Sequence, residues 1–353
     1  MSSSVTDPRL AFHATYFDRP SHLTKEYLCL YYEDNTVELI DAVHGKTFLK
    51  RSACPNLHKS QFFIGADIVV FGRVLHLDRY ADKVTEQLSE KTSESAIAVI
   101  GETMFEKLGD CLDIIIRECT FSICSMNTVT LRDGDWNNAA AVLPSDFSKQ
   151  TVIVLHLVRD KALAKAAELP NRLKSRSVWI TATKADVERA KALEEFAARR
   201  AAADLTSAST VVIIKPHVLS AKRGGEALQR LLQDVATVRI SCATQLTMSG
   251  AQADAFMQPY KGILKDYRPS VEQLASSACW LIQLVSKNPS AATDVVSEVR
   301  QAVGPFDPVI AKVLRPRTLR SAFGIDCARN GFHCSDLPDD GRIDSAFFWG
   351  RRA

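Results

Sequence analysis

The sequence lacks the features that mark membrane, secreted and zinc-binding proteins. Its apolar stretches, such as residues 62–72 and 210–214, are as short as strands and are interrupted, so no transmembrane helix is expected. The nine cysteines form no CxxC pair and have no histidine at metal-ligand spacing, which argues against a disulfide framework or a zinc site. The first ten residues contain no basic segment followed by an apolar one, so no secretory signal is expected.

An excess of charge of either sign is also missing. The 44 Lys and Arg residues nearly balance the 41 Asp and Glu residues, which gives a formal net charge of +3. A nucleic-acid-binding surface needs a larger basic excess, so neither nucleic acid nor a membrane is an expected partner. With 353 residues, 46% of them hydrophobic, the chain is long enough for two or three globular domains.

The first segment, residues 1–90, has the pattern of a small all-β domain. Residues 27–32 (YLCLYY) and 36–40 (TVELI) flank a short polar turn (EDN), which predicts a hairpin. Further short apolar runs at 47–50 and 68–77 predict more strands. Regularly spaced short strands of this kind are typical of a sandwich or barrel.

The second segment, residues 91–205, alternates strands and helices. Residues 95–100 (SAIAVI) predict a strand, and the stretch after them places apolar side chains at helical spacing. Thr183 and Asp186 form a capping-box-like start for a later, strong helix. The small residues at 201–208 are expected to link this segment to the next one.

The third segment, residues 206–353, repeats this order. A strand at 210–214 (TVVII) is followed by a helix at 224–236, and a later strand at 280–285 is followed by a helix at 290–303. The repeated order indicates a duplicated α/β unit. Each copy suits an antiparallel sheet with helices on one face, so the predicted fold class is α+β multidomain.

Three polar stretches of the third segment are candidates for chemistry. Residues 215–217 (KPH) directly follow a strand that is expected to be buried. Residues 315–320 (RPRTLR) carry three cations, and 330–336 (NGFHCSD) combine an amide, an imidazole, a hydroxyl and a carboxylate. A triphosphate needs several donors that converge on its oxygens, and a neutral imidazole can accept a phosphoryl group. Taken singly, each stretch is also typical of a solvated loop.

Together and in this order, the three stretches resemble the nucleoside diphosphate kinase family. That family has a KPD motif after its first strand and an N-x-x-H-G-S-D loop that carries the phosphorylated histidine. Its arginine before a G-x-T-N-P turn is similar to Arg300 before residues 304–308 (GPFDP), and its P-G-T-I-R segment is similar to residues 316–320 (PRTLR). The interval from Arg320 to His333 is 333 − 320 = 13 residues, as in the family. The resemblance covers nearly all of residues 207–350 and implies a ferredoxin-like α/β sandwich.

The resemblance implies a role for each matching residue. His333 is the expected phosphate acceptor, and Ser335 and Asp344 are expected to support it. The implied nucleotide-binding residues are Lys215, Arg300, Arg320 and Asn330. The implied ligand is a nucleoside triphosphate such as ATP together with Mg²⁺, and no set of metal-ligating side chains is expected.

The third segment also departs from the family pattern. His217 replaces the aspartate of the first motif, Cys334 replaces the glycine next to the histidine, and Phe306 replaces a threonine near the phosphates. Met257 stands at the position of the family's base-clamping tyrosine, and the stretch 260–267 matches only an insertion. Phosphate binding is therefore expected to persist with a weakened contact to the base, so that nucleotide is bound weakly.

The second segment resembles the same family with its chemistry removed. Residues 100–103 (IGET) stand where the third segment has 214–217 (IKPH), so the lysine is missing. The arginine-rich stretch is matched to 175–179 (SRSVW) and the histidine loop to 181–186 (TATKAD), which contains no histidine. A degenerate domain that serves only as a scaffold is expected.

The first segment resembles the DM-ten domain of ciliary and axonemal proteins, a small PH-like fold. The matching residues are 27–32, 37–41, 47–51, 56–58 and 63–65. One DM-ten domain before two kinase-like domains is the arrangement of a family tied to cilia and flagella. That family implies a place inside the doublet microtubules of the axoneme. The implied partners are tubulin, other doublet proteins and the γ-tubulin ring complex.

Two functions follow from these resemblances. The first is a structural microtubule-associated protein of the ciliary or flagellar axoneme, a doublet microtubule inner protein of the cytoskeleton. The second is an active nucleoside diphosphate kinase that moves the γ-phosphate of a nucleoside triphosphate to a diphosphate through phosphohistidine at His333. The silent second segment, the altered base contact and the DM-ten resemblance favour the first function, whereas the retained phosphate-binding residues keep the second open.

Overall fold

The structure is a computed structural model that describes residues 9–18, 23–64, 66–92, 94–131, 143–159, 161–200, 209–288 and 294–350. Within these ranges the chain forms two antiparallel sheets, one of six strands and one of eight. The predicted combination of an N-terminal all-β region with α/β units is confirmed. No described helix is long and apolar enough to cross a membrane.

The smaller sheet is built by the N-terminal region, with the strand order β4-β3-β2-β1-β6-β5. Its strands are β1 (Arg9–Asp18), β2 (Leu23–Tyr32), β3 (Thr36–Asp41), β4 (Thr47–Ala53), β5 (Asp67–Val70) and β6 (Arg73–Tyr80). The predicted hairpin is confirmed, since β2 pairs with β3 across a turn in which Asn35 has a φ of 59°. Phe12, Leu39 and Leu75 lie in one buried cluster, which forms the core of this sheet.

The N-terminal sheet differs from the sequence prediction at two places. The sequence pattern does not predict β1, which pairs with both β2 and β6 at the centre of the sheet. The run 68–77, predicted as one strand, is instead a hairpin that turns at Phe71 and Gly72, with φ values of 47° and 76°. Two successive positive φ values suit a tight hairpin turn. Phe71 carries little sequence signal for such a turn.

The larger sheet has the strand order β10-β7-β9-β8-β12-β13-β11-β14. Its strands are β7 (Glu94–Gly101), β8 (Ser122–Thr130), β9 (Thr151–Arg159), β10 (Val178–Ile180), β11 (Ser209–Ile214), β12 (Val238–Leu246), β13 (Cys279–Ser286) and β14 (Phe332–Cys334). The middle unit (residues 94–200) and the C-terminal unit (residues 209–350) contribute four strands each. In both sets the first strand lies between the third and the fourth, which is the ferredoxin-like order predicted for the C-terminal unit.

Four of the described helices or helical stretches correspond to predicted ones (105–117, 186–200, 224–236 and 290–303), with different ends, and the others are not predicted by the sequence pattern. The described α-helices are α1 (Lys83–Thr92), α2 (Leu108–Asp113), α3 (Ala162–Ala166), α4 (Leu169–Leu173), α5 (Lys184–Arg200), α6 (Pro216–Ser220), α7 (Gly224–Asp234), α8 (Gly250–Met257), α9 (Tyr267–Leu274), α10 (Val295–Val303), α11 (Pro308–Leu314), α12 (Leu319–Phe323) and α13 (Asp340–Trp349). The predicted start of α5 is confirmed, because the Thr183 hydroxyl accepts from Asp186 N at 3.2 Å. The predicted linker 201–208 and residues 289–293 lie outside the described residues.

Helices cover both faces of the larger sheet, so the prediction of helices on one face is wrong. Alternate residues of β11 point to opposite sides. Val212 and Ile214 belong to the core that includes α7, whereas Val211 and Ile213 pack among residues of α8 and α9. Every residue of β13 is buried. A strand that is covered on both sides has a continuous apolar pattern, and the runs at 210–214 and 280–285 have this pattern, which the prediction of a single covered face did not use.

The two α/β units join along the sheet and through a close helix crossing. Asn127 of β8 pairs with Thr244 of β12, which makes the sheet continuous. Helices α2 and α7 meet at Gly109 and Gly225, where a Cβ on Gly109 would lie 2.3 Å from the backbone nitrogen of Gln229. The crossing therefore requires glycine, since a side chain there would overlap backbone atoms.

Candidate functional site

The edge strand β14 brings the predicted histidine loop beside the lysine that follows β11. His333 pairs with Ile213 across the two strands. At the end of the pairing, the backbone N–H of Lys215 donates to the carbonyl of Gly331 at 3.0 Å. Gly331 has a φ of +87°, a conformation that glycine adopts without a steric cost. This turn fixes the histidine and the lysine next to each other.

A cavity of about 510 Å³ opens beside this strand pair. Four of the predicted site residues line it together: Lys215, Arg300, Arg320 and His333. They come from separate parts of the chain and meet only through the fold. The volume lies in the range of small-molecule binding sites. The cavity therefore brings the three predicted cations and the imidazole together.

Lys215 lies at the deep end of the cavity and is only 3% exposed. Its Nζ donates to the carbonyl oxygen of Ala328 at 2.9 Å. Burial, together with the nearby positive charge of Arg320, lowers the pKa of Lys215 to about 7. An anion bound next to the amine would reverse this shift, since an opposite charge favours the ammonium form.

Arg320 is the second buried cation of the cavity. Its Nη1 donates to the carbonyl of Gly304 at 2.9 Å, and its Nη2 and Nε donate to the carbonyl of Phe332 at 3.2 and 3.3 Å. The guanidinium carbon lies 5.5 Å from the centre of the Phe306 ring. These contacts hold the guanidinium in one orientation without neutralising its charge, so an anionic ligand would meet a fixed cation.

Two aromatic rings pack against the imidazole of His333. The ring of Phe256 stands edge-on at 4.8 Å between centroids, and that of Tyr260 at 5.9 Å. Nε2 of His333 is buried and has no hydrogen-bond partner among the described residues. Burial lowers the pKa of His333 to about 3, helped by the charges of Lys215 and Arg320. The imidazole is therefore neutral near pH 7, as a nucleophile must be.

Ser335 and Asp344 bond to each other rather than to the histidine. The Ser335 hydroxyl donates to Asp344 Oδ2 at 2.8 Å and accepts from the backbone N–H of Val211 at 3.1 Å. Burial raises the pKa of Asp344 to about 6. The pair ties α13 and the end of β14 to β11, so its support of His333 is indirect, through the position of the loop.

Asn330 lies behind the cavity rather than on its wall. Its side chain is fully buried, and its Nδ2 donates to the carbonyl of Phe306 at 3.1 Å. Its Oδ1 is buried and has no hydrogen-bond partner among the described residues. Such an unpaired oxygen costs stability. In this structure the residue fixes the Phe306 loop and does not reach the space that Lys215 and Arg320 share.

Arg300 stands at the more open side of the cavity and is held by Asp336. Its Nη1 donates to the backbone carbonyl of Asp336 at 2.6 Å, and its Nη2 lies 3.5 Å from the carboxylate. The hydroxyl of Tyr260 donates to the same carboxylate at 2.5 Å. Sequence reasoning missed Tyr260 as a part of the site, because 260–267 matches only an insertion, and it gave the carboxylate of Asp336 no partner.

The described part of the chain has no group of three or more His, Cys, Asp or Glu side chains placed to hold a metal ion. The chemistry of the donors instead fits a phosphate chain. Lys215, Arg320 and Arg300 supply positive charge and N–H donors, and His333 supplies a neutral nitrogen. A Mg²⁺ ion that accompanies a triphosphate would be held through the phosphate oxygens.

The middle unit has the same backbone pattern with different side chains. Gly101 N donates to the Ser177 carbonyl at 2.7 Å, which is the counterpart of the bond between Lys215 and Gly331. Trp179, two residues after Ser177, pairs with Val99, just as His333, two residues after Gly331, pairs with Ile213. Trp179 is therefore the structural counterpart of His333. The sequence match of the histidine loop to residues 181–186 is wrong by several residues, since a three-residue strand has no periodicity to fix its register.

Comparison with known proteins finds relatives of the unit that contains the cavity. Residues 208–353 match the Nucleoside diphosphate kinase family. The Nucleoside diphosphate kinase of Aquifex aeolicus is 24% identical over 145 residues, which cover 40% of this chain and 92% of that protein. The family match thus falls on the C-terminal unit, where the predicted phosphate residues meet.

Two mammalian relatives match nearly the whole chain. Nucleoside diphosphate kinase homolog 7 of Rattus norvegicus is 28% identical over 379 residues, which cover 97% of this chain and 93% of the relative. The protein of the same name from Mus musculus is 27% identical over 395 residues, which cover 99% and 97%. The chain is therefore similar to homolog 7 in the N-terminal sheet and the middle unit as well as in the kinase-like C-terminal unit.

Proposed function

We propose that the chain is a structural, microtubule-binding protein of the ciliary or flagellar axoneme, a doublet microtubule inner protein. Support comes from the way its three parts are packed into one body. The two α/β units share one sheet, and Gly72 of the N-terminal sheet accepts a hydrogen bond from Gly250 N of the C-terminal unit at 2.8 Å. A body of linked surfaces can make several modest contacts at once, and linked contacts reinforce one another.

The finer assignments of the parts belong to the same proposal. The N-terminal sheet acts as a DM-ten, PH-like domain within residues 1–90. Residues 91–205 form a degenerate nucleoside diphosphate kinase-like domain, and residues 206–353 form the domain that retains the phosphate site. Trp179 and Gly101 at the positions of His333 and Lys215 support the assignment of the middle unit as a scaffold. Tubulin, other doublet proteins and the γ-tubulin ring complex are the proposed partners.

Incorporation into axonemes tests the structural proposal. A tagged full-length chain is expected to stay with the axoneme after detergent extraction. The His333→Ala variant is expected to be retained equally, whereas a chain without residues 1–90 is expected to be retained less. Release of the wild-type chain by mild detergent alone would contradict the proposal.

We further propose that the C-terminal unit binds a nucleoside di- or triphosphate weakly. The observation that carries this second function is the meeting of Lys215, Arg300 and Arg320 around a neutral His333. As an active kinase, the unit would break the bond between the γ-phosphorus and its bridging oxygen while a nitrogen of His333 bonds to phosphorus. The diphosphate leaves, and a second diphosphate takes the phosphoryl group from the histidine.

Labelling and binding measurements test the second function. Mg-ATP with labelled γ-phosphate is expected to leave an acid-labile label on the full-length chain, and His333→Ala is expected to abolish it. Lys215→Ala should weaken nucleotide binding. Arg320→Lys should weaken it too, because an ammonium cannot reproduce the guanidinium fork. A wild-type chain that takes up no label under conditions that label an active kinase would exclude the phosphohistidine.

A further inference from the structure

Arg300, Asp336 and Tyr260 form a chain of contacts across the cavity. The guanidinium of Arg300 donates to the backbone carbonyl of Asp336 at 2.6 Å and faces Oδ1 of its carboxylate at 3.5 Å. The other carboxylate oxygen, Oδ2, accepts from the Tyr260 hydroxyl at 2.5 Å. Tyr260 in turn stands edge-on to His333. The carboxylate is thus held on one side and turned toward the arginine on the other.

Asp336 differs in charge from the cavity around it. It is the one acid among the described residues that line the cavity, where Lys215, Arg300, Arg315 and Arg320 supply the cations. A carboxylate and a phosphate present similar anionic oxygens to a guanidinium fork. The carboxylate of Asp336 therefore takes the place at Arg300 that a phosphate oxygen of a ligand would need.

We propose that Asp336 is an internal competitor for Arg300, displaced when a phosphate chain enters, and that Tyr260 is the positioning residue that holds it there. This inference rests on the proposed binding of a nucleoside di- or triphosphate at the same cavity. A ligand with one phosphate at the deep Lys215–Arg320 end leaves the contact intact. A ligand with two or more linked phosphates must exchange the carboxylate for its own oxygen at Arg300, and it binds more weakly as a result.

Tyr260 has the properties that such a positioning residue needs. Burial raises the pKa of its phenol, and the hydrogen bond to Asp336 raises it further, so it remains a proton donor near neutral pH. Without the hydroxyl, Oδ2 of Asp336 loses its donor and the carboxylate is free to rotate away from Arg300. The rings of Tyr260 and His333 stand nearly perpendicular at 5.9 Å between centroids, and the Tyr260 hydroxyl donates to Asp336.

Calorimetry on the full-length chain tests the inference with inorganic pyrophosphate and inorganic phosphate as probes. Asp336→Asn is expected to bind pyrophosphate about fivefold more tightly than the wild type, since the ion pair that it removes is partly exposed. Its affinity for phosphate is expected to change less than about twofold. Tyr260→Phe is expected to give a smaller gain for pyrophosphate, about threefold, and to add nothing in the Asp336→Asn background.

Two controls separate competition from a general change of charge. Asp340→Asn removes an acid at the start of α13 that accepts from the backbone N–H of Leu337, so it should leave pyrophosphate affinity nearly unchanged. Arg300→Ala should remove the gain of Asp336→Asn. Circular dichroism melts of all variants confirm that each is folded.

The outcomes are distinct. An equal gain from Asp340→Asn and Asp336→Asn would overturn the inference, because the effect would then be one of net charge. Unchanged pyrophosphate affinity in Asp336→Asn, with binding by the wild type, would overturn it while leaving the phosphate site in place. Absence of binding of either probe to any variant would overturn both this inference and the proposed nucleotide site.

Discussion

The middle unit and the C-terminal unit place different side chains on the same backbone. At the end of the last strand of each unit, a hydroxyl accepts from a backbone N–H of the first strand. Thr181 accepts from Ile97 N at 3.0 Å, and Ser335 accepts from Val211 N at 3.1 Å. Two residues earlier, the middle unit has Trp179 where the C-terminal unit has His333. The groups that pair the backbone are thus common to both units, whereas the charged and imidazole groups are not.

This difference distinguishes the side chains that the fold requires from those that a ligand would require. The groups found only in the C-terminal unit are stabilised poorly by their surroundings. Lys215 has its pKa lowered to about 7 by burial, and buried polar atoms of His333 and Asn330 have no partner among the described residues. The middle unit has the same strand order with Gly101 and Trp179 at the positions of the lysine and the histidine. The cost to stability of the groups found only in the C-terminal unit is therefore explained better by a bound anion than by the fold.

A substitution at the helix crossing between the two units is expected to have the largest effect on stability. Gly109→Ala would place a methyl group 2.3 Å from the backbone nitrogen of Gln229, so the two units would have to move apart. We expect the free energy of unfolding to fall by about 3 kcal/mol, measured by urea denaturation. Gly250→Ala is the matched control, since its nearest contact would be 3.5 Å from the carbonyl of Gly72. A loss no greater than that of the control would show that the crossing does not couple the units.

A histidine placed in the middle unit at the counterpart of His333 tests whether an imidazole alone is sufficient for phosphorylation. In a His333→Ala background, Trp179→His is expected to take up no acid-labile phosphate from labelled Mg-ATP. The counterpart of Lys215 is Gly101, so the charge of the phosphates has no compensating amine there. Wild type supplies the positive control. Recovery of label in the double variant would contradict the interpretation of the middle unit as a scaffold.

The residues of the cavity that match the family's motifs could be predicted from the sequence, because those motifs stand in the same order along this chain. Lys215, Arg320 and His333 were each recognisable from neighbouring residues, and the fold brings them to one space. Very short strands were less predictable. Three-residue strands such as Val178–Ile180 carry no periodic pattern, which is why the counterpart of His333 was misplaced. The contact of Tyr260 with Asp336 depends on tertiary packing and has no local signal.

Removing the hydroxyl of Thr181 or of Ser335 is expected to lower stability by a smaller amount, which is similar in the two units. Thr181→Val and Ser335→Ala each leave a buried backbone N–H without its acceptor, which costs about 1–3 kcal/mol. The loss for Ser335→Ala is expected at the upper end, because the Asp344 carboxyl also loses its donor. Urea denaturation measures both. Thr130→Val, at an exposed hydroxyl pair, should change stability by less than about 0.5 kcal/mol. Equal, negligible losses in all three would show that the hydroxyls do not pair the backbone.

The smallest effect concerns protons at Lys215, a position that is glycine in the middle unit. In the unliganded chain the pKa of this amine is about 7, so at pH 8 most of it is neutral. A phosphate bound beside it favours the ammonium form. On binding, the amine should therefore take up about one proton at pH 8 and about half a proton at pH 7. Affinity for pyrophosphate should accordingly fall as the pH rises above 7.

Calorimetry in buffers of different ionisation enthalpy measures this uptake. Lys215→Arg is the decisive control, because a guanidinium is charged across the whole range and needs no proton. Its proton uptake should reduce to that of the probe itself. His333→Ala should keep the uptake, since the pKa of His333 of about 3 leaves the imidazole neutral in this window. If Lys215→Arg takes up as many protons as the wild type, another group titrates on binding and the amine of Lys215 is already charged in the free protein.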